Sequence, residues 1–74
     1  MPFTLDMLPV GRHGRITGLP GGVVRSQAIR FGLAEGASIL LYERIPRGPV
    51  VIRRGLQEIA IGRALARSIT VDSE

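Results

Sequence analysis

Glycine and proline interrupt this chain so often that long helices cannot be its main building blocks. The 74 residues include ten Gly and five Pro, and no stretch of eighteen residues lacks both. Because Gly and Pro end or kink regular segments, the pattern favours short strands joined by tight turns over a helical bundle. A chain of this length is predicted to fold as a single domain over residues 1–74.

The kinds of side chain present exclude several classes of protein. The chain has no Cys, no Lys and a single His, and its ten Arg outnumber six acidic residues to give a formal charge of +4. A disulfide framework, a thiolate metal site and a Lys Schiff base are therefore excluded. The apolar runs are far shorter than the ~20 residues that span a bilayer, and the N-terminus lacks the basic region of a secretory signal. We expect a cytoplasmic protein without membrane insertion.

Apolar spacing predicts one helix, one helical turn and about five strands. Val24, Ala28 and Phe31 lie on one helical face, which predicts a helix over about residues 23–31 with Gly32 as its C-terminal cap. A short helical turn is predicted over about residues 63–67. We predict that the tail, residues 72–74, is frayed. Strands are predicted within the segments 10–19, 38–43, 50–53, 59–61 and 69–71.

The arrangement of these elements favours a small β-barrel. A flat sheet of this size would leave unpaired edges exposed, whereas a closed or nearly closed barrel hides them. The predicted class is mainly β, with five to six short strands, one inserted helix and a helical turn before the last strand.

The order and spacing of the turns resemble the ferrous iron transport protein A (FeoA) family from about Leu5 to Val71. The most specific segments are GLAEG at 32–36 followed by Ile-x-Leu, a Pro/Gly loop, and IAIGRALARSI at 59–69. The matching positions are Leu5, Gly11, Gly14, Ile16, Arg25, Phe31, Gly32, Leu33, Gly36, Ile39, Leu41, Pro46, Gly48, Pro49, Gly55, Ile59 to Arg63, Ala66, Ile69 and Val71.

This resemblance implies a fold, a location and a partner. It implies an SH3-like β-barrel of five or six strands with small inserted helices. It also implies a cytosolic protein that is an accessory to the membrane ferrous iron transporter FeoB, whose cytosolic part is a GTP-binding domain. The protein would then lie in the cytoplasm, at the inner face of the membrane through its partner.

No catalytic, cofactor or metal site is expected from the residues. His13 is interpreted as an exposed turn residue, because Arg12 and Arg15 would repel a cation and no second His or Cys could complete a transition-metal site. The serines have no neighbouring histidine that could activate them. The chain is therefore predicted not to be an enzyme.

The strongest candidate for function is a partner-contact surface. Leu40 and Tyr42 alternate with core positions and form an apolar pair, and Arg44 and Arg47 would form its charged rim. Two other interpretations stay open: packing of Leu40 and Tyr42 in the core, and a set of arginines that are only solvated. The carboxylates Glu43 and Glu58 can approach each other across strands, or can pair instead with Arg44 or Arg53.

The sequence therefore supports a non-catalytic accessory that acts by protein–protein contact with the cytosolic part of the transporter. The alternative is a basic barrel that binds nucleic acid through phosphate contacts. That alternative is weakened by the small number of aromatic residues on which bases could stack. Recognition of Pro-rich peptides is weakened by the same shortage.

Overall fold

The structure, a computed structural model, describes residues 3–74 and consists of six strands and two short helices, in agreement with the predicted class. The sequence order alternates strands with short connections, as the spacing of Gly and Pro indicates. The strands are β1 (Phe3–Thr4), β2 (His13–Gly18), β3 (Ser38–Arg44), β4 (Val50–Arg54), β5 (Gln57–Ile61) and β6 (Thr70–Ser73); the helices are α1 (Gly22–Arg30) and α2 (Arg63–Ala66); and a 3₁₀ turn occupies Leu5–Met7.

All six strands belong to one antiparallel sheet in the order β1-β6-β2-β3-β4-β5. The outline of the molecule measures 28 × 25 × 25 Å. Since a flat sheet would be far thinner in one direction, the sheet is rolled around its own inner face. The SH3-like, mainly β prediction is confirmed, with β1 and β5 as the outermost strands.

The inner face of the rolled sheet holds an entirely apolar core. Alternation supplies half of its side chains, because every second residue of a strand points to the same side; the others come from the 3₁₀ turn, the helices and the connections. In the described chain no buried residue is polar or charged. The core side chains are Leu5, Leu8, Ile16, Leu19, Ala28, Leu33, Ile39, Leu41, Val50, Ile52, Ile61, Ala66, Ile69 and Val71.

Helix α1 ends in a Schellman motif, which confirms the predicted cap. Gly32 has φ of +77°, its N–H donates to the carbonyl of Ile29, and the N–H of Leu33 donates to the carbonyl of Ala28, both at 2.9 Å. Leu33 and Ala28 are both fully buried. Neither helix within residues 3–74 is long and apolar enough to cross a membrane.

The C-terminal residues are ordered in the sheet, so the predicted frayed tail is wrong. Asp72 and Ser73 continue β6 and pair with Arg15 and Gly14 of β2. The N–H of Glu74 also donates to a carbonyl of β2, at 3.0 Å. The physical reason is that β2 continues past Ile16, the residue that pairs with Val71. The backbone N–H and C=O groups of this part of β2 need hydrogen-bond partners, and the polar tail supplies them.

Strand β1 was not predicted. It contains only Phe3 and Thr4, which pair with Val71 and Thr70 of β6. Two residues are too few to show an alternating pattern, and their pairing depends on a segment more than sixty residues away.

Candidate functional site

The predicted contact residues lie on β3 and on the loop that follows it, but they do not form one surface. Leu40 is half-buried, Tyr42 is 42% exposed and Arg47 is exposed, whereas Arg44 is half-buried. A β-bulge in β3 causes the separation. The site therefore consists of two halves, one on each side of the bulge.

The bulge is at Tyr42. Leu41 pairs with Ile52 of β4, while Glu43 already pairs with Val51, so Tyr42 is an extra residue in the ladder. After the bulge the alternation of sides is reset. Arg44 therefore lies opposite the buried Val50, on the inner side of the sheet.

Arg44 is turned towards the scaffold and not towards a rim, which corrects its predicted placement. Its guanidinium donates through Nη2 to the carbonyl of Leu8. Its Nε is buried and has no hydrogen-bond partner in the described chain. Because the Arg44 guanidinium is bonded to the turn after the 3₁₀ segment, its charge is not free to bind a partner.

On the outer face, four strands place their side chains in one row across the sheet. His13 of β2 pairs with Leu40 of β3, Leu40 pairs with Arg53 of β4, and Arg53 pairs with Glu58 of β5. We call these four residues together with Tyr42 the outer row. His13 is exposed, as predicted, but it begins a strand instead of lying in a turn. A shallow open cleft of about 270 Å³ runs beside His13, Leu40 and Arg53.

Arg53 is the central residue of the outer row. Its guanidinium carbon lies 3.8 Å from the centre of the Tyr42 ring, in cation–π geometry. Its Nη2 is 2.8 Å and its Nε 3.2 Å from the Glu58 carboxylate, which is one of the pairings that the sequence left open. The stacking of Arg53 on Tyr42 was not predicted, because strand alternation alone does not place the extra residue of a bulge.

Arg47 projects from the β3–β4 loop in a left-handed conformation, with φ of +60°. It is the only residue other than glycine with positive φ among residues 3–74. Arg63 holds the loop by donating to the carbonyls of Gly48 at 2.7 Å and Ile45 at 2.9 Å. Because a non-Gly residue in this region is strained by about 1–2 kcal/mol, the scaffold maintains the exposed position of Arg47 against a local cost.

The titratable groups do not assemble a chemical site. Within residues 3–74, no three His, Asp or Glu side chains lie close enough together to hold a metal ion. The Ser38 hydroxyl donates to Glu74 at 2.6 Å, and this hydrogen bond, with Arg15 at 3.6 Å, lowers the pKa of the Glu74 carboxyl. The outer row instead brings together an aromatic ring, an aliphatic neighbour and an oriented ion pair.

Comparisons with known proteins agree on fold and family. The sequence profile of the FeoA domain matches residues 3–73. A crystal structure of an iron uptake regulatory protein, FeoA, superimposes with a TM-score of 0.92 at 32% identity, over 100% of both chains. The solution structure of FeoA from Chlorobium tepidum gives a TM-score of 0.83 at 25% identity, over 96% of this chain and 70% of that one.

A third structure shares the fold at lower identity. FeoA from Stenotrophomonas maltophilia, described as a prokaryotic SH3 domain protein and complexed with zinc, gives a TM-score of 0.79 at 17% identity, over 95% of this chain and 89% of that one. No curated protein matches this chain in sequence at a significant level.

Proposed function

The chain belongs to the FeoA family, and on that basis we propose that it is a non-catalytic accessory of ferrous iron uptake. It acts by contact with the cytosolic part of the membrane ferrous iron transporter, which includes a GTP-binding domain. In this proposal the protein works in the cytoplasm, at the inner face of the membrane, and carries no cofactor of its own.

The observation that carries the proposal is the stacked pair of Arg53 and Tyr42. Tyrosine and arginine are the residues most enriched among those that dominate protein–protein binding energies. Here Glu58 and the Tyr42 ring hold the guanidinium from two directions, so less side-chain entropy is lost when a partner covers it. Leu40 supplies adjacent apolar area.

Arg47, in the half beyond the bulge, is a second and separate contact point, with a charge that has no ion-pair partner among residues 3–74. Its strained backbone supports a role in contact, because strained residues persist where the surrounding structure fixes them and are frequent at ligand contacts. A carboxylate of the partner is the group that a fixed, unpaired guanidinium binds best. Binding at this surface biases the transporter domain towards the conformation that it fits.

The test is a binding titration between the purified full-length chain and the cytosolic part of the transporter. Tyr42→Ala and Arg53→Ala are each expected to weaken binding by about tenfold or more, as substitutions of dominant interface residues do. Arg47→Gly is expected to weaken binding about fivefold while it relieves the backbone strain. Arg12→Ala is the matched control, since Arg12 is exposed just before β2 and its side chain bonds only to Ser73.

Three outcomes contradict the proposal. Wild-type protein that binds no part of the transporter removes the function. Equal losses of transporter binding for Arg12→Ala and Arg53→Ala would show that binding depends only on net charge. Binding to single-stranded RNA or DNA at physiological salt, abolished by Tyr42→Ala, would instead support the nucleic-acid alternative.

A further inference from the structure

The tip of the β4–β5 hairpin carries an apolar side chain that the fold does not need. Leu56 is fully exposed, at 106% of its reference area. It occupies the second position of a two-residue turn whose first position, Gly55, has φ of +62°. That turn requires glycine at the first position but accepts a polar residue at the second. Neither the turn nor the core therefore accounts for Leu56.

Two more exposed apolar side chains lie at the same end of the molecule. Ile29 and Phe31, at the end of α1, are 53% and 42% exposed. They line an open cleft of about 460 Å³ together with Arg54 and Gln57, the two residues that flank the Gly55–Leu56 turn. We call Leu56, Ile29 and Phe31 the apolar tip.

Positive charge surrounds the apolar tip. Arg30 and Arg54 line the same cleft, are exposed, and form no ion pair within residues 3–74. Glu58 is the only carboxylate in the cleft lining, and Arg53 already binds it at 2.8 Å. The Arg54 guanidinium lies flat against the backbone of residue 32, where a Cβ would come within 2.6 Å of it.

We propose that the apolar tip docks on an anionic lipid surface, with Leu56 inserted among the headgroups and Arg30 and Arg54 bound to lipid phosphates. The shape decides between a lipid and a protein occupant. A leucine on a convex two-residue turn has no pocket wall around it, and protein partners bind such side chains in fitted pockets. A fluid headgroup layer closes around a protrusion of any shape, and it attracts arginine.

This inference goes beyond the proposed function, because none of the residues of the apolar tip belongs to the outer row. Binding through one inserted leucine and two arginines is weak and reversible, as for a singly anchored protein. It becomes effective when a membrane-bound partner raises the local concentration of the chain. The protein would then be held by two contacts at once, one with the membrane and one with the transporter.

The experiment uses the absence of tryptophan from the chain. The variant Leu56→Trp carries a unique fluorophore at the tip, and it is titrated with vesicles of phosphatidylglycerol and phosphatidylcholine or of phosphatidylcholine alone. The expected result is a blue shift of the emission with the anionic vesicles and none with the neutral ones. Val10→Trp, at another exposed apolar position, is the matched reporter and is expected to show no shift.

The charge requirement is tested by sedimentation with the same anionic vesicles. Arg30→Gln combined with Arg54→Gln is expected to weaken binding by about 25-fold, since each arginine contributes roughly fivefold near an anionic surface. Arg12→Gln combined with Arg15→Gln removes the same net charge at the start of β2 and is expected to change binding less than threefold. Leu56→Ser is expected to lose about tenfold.

No shift for Leu56→Trp with anionic vesicles, or equal losses for the two double variants, overturns the proposal. So does a loss of transporter binding by Leu56→Ser in the absence of lipid, because the tip would then contact protein. Transporter binding without lipid that is unchanged in Leu56→Ser supports it. The outer-row variants test the proposed function separately, since they are expected to bind vesicles normally.

Discussion

The two sides of the bulge in β3 use arginine in opposite ways. Before the bulge, Arg53 lies on the outer face, stacked on Tyr42 and paired with Glu58. Beyond it, Arg44 and Arg63 are half-buried and donate to carbonyls of loops. Loop carbonyls lack the partners that a strand provides, and a guanidinium with five donors can satisfy them from a distance.

This difference changes what the charge of +4 means. Of the ten arginines, three form neither an ion pair nor a side-chain hydrogen bond within residues 3–74: Arg30, Arg47 and Arg54. Half-buried hydrogen bonds from a charged donor contribute about 1.5–3 kcal/mol, whereas exposed ion pairs contribute about 0–1 kcal/mol. The scaffold arginines should therefore affect stability, and the outer ones should affect recognition.

The largest effect is expected at Arg63. Arg63→Met removes two charge-assisted bonds to the carbonyls of Gly48 and Ile45 and should lower the free energy of unfolding by about 2 kcal/mol. Arg67→Met is the control on the same helical turn, because Arg67 is exposed and 3.9 Å from Asp6; its effect should stay below about 0.5 kcal/mol. Urea unfolding measures both. Equal effects would remove the distinction between scaffold and surface arginines.

A smaller loss is expected at Arg44. Arg44→Met removes the bond to the Leu8 carbonyl but also removes the buried Nε that has no partner in the described chain. Because the second change offsets part of the first, the free energy of unfolding should fall by about 1 kcal/mol. Transporter binding should be unchanged. A tenfold loss of binding without a loss of stability would return Arg44 to the contact surface.

The sequence predicted the elements better than it predicted the site, and β3 shows why. The run of β-forming residues from Ser38 to Glu43 predicts a strand, with Ile39 and Leu41 on one face and Leu40 and Tyr42 on the other. It does not mark a bulge, because the extra residue is defined only by the register with β4. Leu40 and Tyr42 lie on the face opposite to the core, which is one of the two interpretations that the sequence left open. Arg44, beyond the bulge, lies on the inner side and not in the predicted rim.

Contacts between distant segments were the other gap. The pairing of Arg53 with Glu58 was foreseeable, since a two-residue turn joins their strands. The stacking on Tyr42 and the bonds from Arg63 to the β3–β4 loop depend on how the rolled sheet brings segments together. The same reason explains why the tail, predicted to fray from its local composition, extends β6 and pairs with β2.

The stacked pair on the outer face should couple only weakly in stability. A double-mutant cycle with Tyr42→Leu and Arg53→Met should give a coupling of about 0.5–1 kcal/mol, the range for exposed cation–π pairs. The cycle is measured by urea unfolding, with Arg53→Met and Val10→Ala as an uncoupled control pair. Coupling above about 2 kcal/mol would mean that the outer row is part of the scaffold.

The smallest expected effect on stability is a pH dependence that comes from the Glu74 carboxyl and not from the scaffold arginines. The Ser38 hydroxyl bond, followed by Arg15 and His13, holds the pKa of the Glu74 carboxyl below its ordinary value. A lowered pKa in the folded state stabilises the protein fully above the ordinary pKa, and this contribution is lost as the pH falls through the lowered pKa. NMR titration of the Glu74 carboxyl in Ser38→Ala should show a pKa raised towards the ordinary value, with a smaller rise in Arg15→Gln.

The contribution of the scaffold arginines to stability should not change in that pH range. Arg44 and Arg63 bind carbonyls, which do not titrate, and arginine stays protonated throughout. In Ser38→Ala, Glu74 should therefore contribute less to the slope of the free energy of unfolding against pH in the acid range. In Arg63→Met this pH dependence should keep its wild-type shape, at a lower absolute stability. A Glu74 pKa that does not move in Ser38→Ala would show that another group sets it.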